Sequence, residues 1–190
     1  MITQKRTSVP VILVMCCALL LVLTACGSSA SQEEIEEDLT LRLDEIASGV
    51  TTSLGVLADG LEADEVSTYG VSESELLSAF LDGFSYSIGS ITVDKDNGTA
   101  TVGVTFTCKS YDEIIAAFED AAFDIPLQDG ADAMSDEELN ALFGEALLEA
   151  IASASTGQTD EVTISYLEVD GVWEPDSDFE SVLAEALLSL

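Results

Sequence analysis

Apolar residues between Ile35 and Leu61 recur at steps of four and three: Ile35, Leu39, Leu43, Ile46, Val50, Leu54, Leu57 and Leu61. That spacing gathers one apolar stripe on a helix and predicts a long first helix over 32–61. Gly49, Gly55 and Gly60 weaken it, with a break expected near Gly55. Four shorter runs repeat the period. They are Leu76, Leu77, Phe80 and Leu81; Ile114, Ile115 and Phe118, ahead of Pro126; Leu139, Leu142, Phe143, Ala146, Leu147 and Ile151; and Phe179, Val182, Leu183, Ala186, Leu187 and Leu190. Each predicted helix opens with Ser-x-x-Glu, as Ser31/Glu34, Ser72/Glu75, Ser110/Glu113, Ser135/Glu138 and Ser177/Glu180. There the serine hydroxyl accepts from an orphan backbone N–H and the glutamate reaches back to the serine N–H. The carboxylate also sits at the favourable end of the helix dipole.

Elsewhere the period drops to two. Phe84, Tyr86 and Ile88 alternate with polar residues, and Gly89-Ser90 then shifts the phase before Ile91 and Val93, which predicts a bulge. Ala100, Val102, Val104, Phe106 and Cys108 alternate with Thr99, Thr101, Gly103, Thr105 and Thr107, the mark of a strand with one buried face. Asn97-Gly98 supplies the positive-φ residues of a tight turn between these two strands. Val162, Ile164 and Tyr166 make a third strand; Asp170-Gly171 turns it into a short fourth at Val172 and Trp173, which Pro175 ends. Strands paired by tight turns, with helices before and after them, imply an α+β fold: an antiparallel sheet of three to four strands packed with about five helices on one face.

The N-terminus has a different character. Lys5 and Arg6 precede an apolar run from Val9 to Leu23 and the small residues Thr24 and Ala25, the layout of a secretory signal. The run is short for a bilayer-spanning helix, which needs roughly 20 apolar residues. Leu23-Thr24-Ala25-Cys26 resembles the lipobox of bacterial lipoproteins. The resemblance implies cleavage after Ala25 and a diacylglyceryl group on Cys26 Sγ. Residues 1–25 would then be a removed signal peptide, 26–31 a lipidated cysteine with a short tether, and 32–190 a single α+β domain whose sheet part begins near residue 70. Of the four cysteines only Cys108 would remain free in the mature chain, so no internal disulfide is expected.

Charge narrows the partners. Once Lys5 and Arg6 leave with the signal, Arg42, Lys95 and Lys109 face 37 acidic residues. Such a surface is repelled by nucleic acid and anionic headgroups. Histidine is absent, which removes the usual general base and the Ser-His triads. No catalytic set is recognisable, Cys108 is expected to be a buried inert thiol, and no cofactor is expected. For divalent ions the candidates are Asp94 and Asp96 in the first turn and Asp129, Asp132 and Asp136 before the fourth helix, since hard oxygen ligands suit Ca²⁺. The EF-hand pattern fails, because position six from Asp94 is Thr99 and position twelve is Thr105, so no metal site is expected and the carboxylates read as a solvated acidic surface.

The segments ITVDKDNGTATVGVTFT, MSDEELNALFGEALLEAI and DGVWEPD, in this order of elements, resemble the small cystatin-like and nuclear transport factor 2-like domains. In that fold the curved sheet can enclose a ligand on its concave face, where Tyr86, Phe106, Tyr166 and Trp173 would line a pocket. The expectation is an acidic envelope module, anchored by lipid to the outer face of the membrane, that binds a protein or small ligand without catalysis. The alternatives are a pocket enzyme of isomerase or dehydratase type, and a structural spacer built on the long first helix.

Overall fold

In the computed structural model, residues 29–49, 54–127 and 130–190 are described. The fold is α+β: five antiparallel strands and, among the described residues, seven α-helical segments. The first helix, α1, covers 29–47. It ends where Ser48 and Gly49 turn away, Gly49 taking φ +78° and donating to the Ile46 carbonyl. A left-handed residue just past the last turn is the common glycine stop for a helix. The stripe therefore does not run as one helix over 32–61. It resumes in α2 (Gly55–Gly60) and α3 (Ala63–Val66), and a 3₁₀ turn follows at Ser67–Tyr69.

Helix α4 (Glu73–Phe80) precedes strands β1 (Ser85–Asp94) and β2 (Thr99–Lys109). Helices α5 (Tyr111–Asp124) and α6 (Asp136–Ser153) follow, then β3 (Thr156–Gln158), β4 (Val162–Val169), β5 (Val172–Pro175) and α7 (Phe179–Leu187). The main sheet order is β1-β2-β4-β5, and the short β3, which sequence pattern alone did not predict, pairs with the far end of β2. The β1–β2 register slips between Ile88 and Ile91, so the bulge falls at Gly89-Ser90.

Three of the five Ser-x-x-Glu signals cap helices. Ser72, Ser110 and Ser135 accept from the amides of Glu75, Glu113 and Glu138, and only Ser135/Glu138 closes both halves of the box. Glu113 instead turns outward and accepts from the amide and hydroxyl of Ser155, both at 2.8 Å, tying α5 to the segment after α6. Ser31 lies inside α1 and is buried, which draws the predicted tether residues 29–31 into the helix. Before α7 the capping position falls to Asp178, without a side-chain bond, while Ser177 bonds Asp176.

One face of the sheet carries Ala100, Val102, Val104, Phe106, Cys108, Ile164, Tyr166 and Trp173, all buried. Helices pack there, with Ile35, Leu39 and Leu43 of α1 and Leu183 and Leu187 of α7 almost wholly covered. The opposite face, with Ser87, Thr101 and Thr163, is open to water. Polar bonds fix the direction of α1. Gln32 donates to the Ile91 carbonyl at 2.7 Å, whereas Tyr86, near the start of β1, donates to Asp44 at 2.6 Å. Helix α1 therefore runs antiparallel to β1 and begins at the end of the sheet where the β1–β2 and β4–β5 turns lie. Those turns are joined by a bond from the Glu168 amide to the Gly98 carbonyl.

Candidate functional site

The expected pocket on the concave sheet face does not form, because α1 fills it. Phe106 and Tyr166 are fully buried and Trp173 nearly so; Phe106 stacks with Phe84 at 6.0 Å and Tyr86 is half-buried. Tyr166 donates to Asp38 of α1 at 3.0 Å, and Arg42, one turn on, donates to the same carboxylate oxygen at 2.8 Å. Burial, then the Asp38 charge, push the Tyr166 phenol well above its ordinary range. These four aromatics are thus brought together as the floor of the core beneath α1.

The acidic candidates are not brought together. Asp94 is occupied within its own turn, accepting from the Asn97 amide and side-chain nitrogen at 3.2 and 2.7 Å, and those bonds lower its pKa. Asp132 sits in a 3₁₀ turn (Ala131–Ala133) and Asp136 at the first position of α6. Among the described residues no three His, Cys, Asp or Glu side chains are grouped to hold a metal. Asp129, the lipidation candidate Cys26 and the cleavage residue Ala25 lie outside the described residues.

Cys108 faces α7, its Sγ 3.7 Å from the Leu187 carbonyl oxygen, and burial pushes its thiol up to about 11 from an ordinary 9.0. A raised acid pKa in the folded chain means that folding resists deprotonation. Cys108 makes no difference to stability below about pH 9, and through it stability should fall as pH rises towards 11, with buried Tyr166 adding to the loss at higher pH. Urea midpoints recorded from pH 8 to 11 test this. Cys108→Ala should remove the earlier part of the decline; a variant that follows the parent curve throughout would disprove the assignment.

An apolar cavity lies among the helices, between α3 with its 3₁₀ turn, α4, α5 and α6. Its volume is about 130 Å³. Tyr69, Phe80, Tyr111 and Phe118 supply aromatic walls, aliphatic side chains close the floor, and Glu62 and Glu65 stand at the rim. Three pieces of local chemistry position them. Glu62, between α2 and α3, holds φ +54°, a left-handed conformation costly for a residue with a Cβ, and this turns the chain sharply into α3. Tyr69 ends the 3₁₀ turn beside Gly70 at φ +81°, its ring 5.6 Å from Phe143 and 6.4 Å from Phe118. Gly144 of α6 lets the Tyr69 backbone approach; a Cβ there would overlap the Tyr69 carbonyl oxygen and press on Val71. Desolvation, then the charges of Glu62 and Asp112, raise the Tyr111 pKa, so its phenol stays neutral and able to donate.

The sequence marks Phe80 and Phe118 only as apolar helix positions, and it marks neither Glu62, Tyr69, Tyr111 nor Gly144 as part of a site. The stretch LEADEVSTYG reads there as the tail of a long helix and a connection. A glycine in the middle of an 18-residue helix was the available signal, since it costs about 1 kcal/mol against alanine unless a close approach needs it.

No protein-family model matches the chain, and no curated protein matches it. A similar solved structure is a proposed lipoprotein, ycdA, from Bacillus subtilis subsp. subtilis str. 168, with 17% identity and a TM-score of 0.44 over 68% of this chain. The matched region spans 44% of the length of that protein. A likeness this distant carries no argument about what the present chain does. Among the described residues, no helix is long and apolar enough to cross a membrane.

Proposed function

We propose that the chain is an exported lipoprotein, tethered through Cys26, whose domain binds a small cationic ligand with an apolar or aromatic body in the helical cavity. The tether rests on the sequence: basic residues, a short apolar run, and Leu23-Thr24-Ala25-Cys26. The single observation that carries the binding role is the cavity, apolar inside and rimmed by Glu62 and Glu65. A dry cavity of roughly 150 Å³ accommodates a benzene ring, so this one matches a ring or a short branched chain. Aromatic faces beside carboxylates attract an ammonium or guanidinium group, because the ring quadrupole and the acid charge act in the same direction. An anionic ligand of the same shape would meet repulsion.

The non-catalytic reading is supported by the filling of the sheet face. An isomerase-like site would need substrate space above Tyr166, and α1 occupies it. The spacer reading is weakened by the same packing, since α1 is part of the core.

Thermal unfolding with benzylamine, phenethylamine, benzyl alcohol and benzoate tests the cavity. A ligand at a hundred times its dissociation constant adds about 2.7 kcal/mol, which at this size is a rise of roughly 5–10 °C. The amines should raise the midpoint most and benzoate least, with the amine advantage lost in Glu62→Gln/Glu65→Gln. Equal shifts for amine and benzoate would remove the charge argument. No shift with any of the four would remove the binding site.

A further inference from the structure

We infer that the turn between β4 and β5 is a membrane-contacting element, its apolar tip seated in the outer surface of the bilayer that holds the Cys26 lipid. This inference rests on the anchoring reading above. Leu167, Val169 and Val172 are 38%, 47% and 51% exposed, and Val169 pairs directly with Val172 across the turn. Their side chains share the water-facing side of the sheet, because Leu167 pairs with Thr99 of the open face. Asp170 and Gly171 form the turn at φ +54° and +84°, conformations that lock the two valines side by side at the tip.

Chain length decides what covers them. Only Gly27 and Ser28 separate Cys26 from residue 29, the first described residue of α1. Three residues reach at most roughly 11 Å even when fully extended. The Gln32–Ile91 and Tyr86–Asp44 bonds place the beginning of α1 at the turn-bearing end of the sheet. A lipid on Cys26 therefore holds this end, and not the opposite one, against the headgroups. Lys95, one of three cations in the chain after Ala25, lies on the neighbouring β1–β2 turn at the same end. The remaining groups there, Asp94, Asp96, Glu168, Asp170 and Glu174, are acidic and exposed, so they form a hydrated rim around the valines. Such a tip sits shallowly at the interface and does not span it.

The test uses the full chain, exported, processed and purified from membranes, then reconstituted in phosphatidylcholine vesicles, which carry no net charge to repel the domain. In the processed chain Cys26 is blocked by lipid and Cys108 is buried. An introduced thiol is then labelled selectively with an environment-sensitive dye. Val172→Cys places the dye at the tip, and Ser85→Cys places it on an exposed site at the other end of the sheet. With spin-labelled phosphatidylcholine, emission from position 172 should be blue-shifted and quenched about twofold more strongly than from 85. Equal, weak quenching at both sites in vesicle-bound, Cys26-modified protein overturns the tip contact and leaves the anchor intact. Mass spectrometry showing Cys26 unmodified overturns the anchor, and the tip contact with it.

Discussion

Replacing Leu39 with alanine should cost about 2–5 kcal/mol of folding free energy, and Leu39→Asp should leave no cooperative transition at all. Leu39 is wholly covered, in the middle of the α1 stripe, against the Tyr166 and Phe106 side of the sheet. Truncating a buried leucine loses its transfer free energy and leaves a cavity that the surroundings close only in part. An unpaired carboxylate at that place cannot be solvated, so aspartate is far worse. Leu41, two residues away on the opposite side of the same helix, is 61% exposed, and Leu41→Ala should stay within about 0.5 kcal/mol. Urea titration of the three variants separates two pictures of the chain. If α1 were a spacer holding a self-sufficient domain away from the membrane, Leu39→Ala and Leu41→Ala would behave alike. A loss at 39 with none at 41 makes α1 a layer of the core, and the proposed tether just ahead of α1 would then hold the domain close to the bilayer.

That layer explains how far the sequence could be read. The strand alternation, the bulge at Gly89-Ser90, the Asn97-Gly98 turn and three of the five helix caps are local properties, and a local pattern specifies them. Whether an aromatic strand face lines a ligand pocket or a core is not local. Tyr86, Phe106, Tyr166 and Trp173 present the same alternation in either case, and the answer depends on which distant helix folds back over them. The polar marks of that folding, Asp38 to Tyr166 and Asp44 to Tyr86, link residues 128 and 42 apart in sequence. The helical cavity was hidden for a related reason. Glu62 adopts a left-handed backbone although it is not glycine, and nothing in ordinary propensity predicts that the chain would turn there.

Acidity and binding are connected in this arrangement. Spread over the surface, the carboxylates keep the domain hydrated. At the cavity Glu62 and Glu65 stand beside half-buried aromatic rings, and in the proposed binding role the same charge would favour cations over anions. The proposed ligand end and the proposed anchored end are built from different elements, helices α3 to α6 for one and two strand turns for the other. Changes at one should leave the other intact.

Gly144→Val tests the cavity without replacing any residue of its lining. A side chain at this position meets the Tyr69 carbonyl oxygen, and backbone held in a 3₁₀ turn cannot move aside as a flexible side chain would. Overpacking of this kind costs typically about 1–3 kcal/mol, and a β-branched residue adds to it. At this chain length that is a fall of roughly 2–12 °C in Tm. Gly144→Ala should show a smaller fall, because alanine recovers about 1 kcal/mol of helix propensity while still colliding. Gly55, at the start of α2, has open space where a Cβ would go and no positive φ, so Gly55→Ala should be neutral or slightly stabilising. The informative comparison is the amine-induced rise in Tm. Displacing Tyr69 moves one aromatic wall of the cavity, so Gly144→Ala should lose most of that rise, while Gly55→Ala keeps it. If Gly144→Ala lowered stability yet bound benzylamine as before, the wall formed by Tyr69 would be irrelevant to recognition and the ligand would have to bind elsewhere.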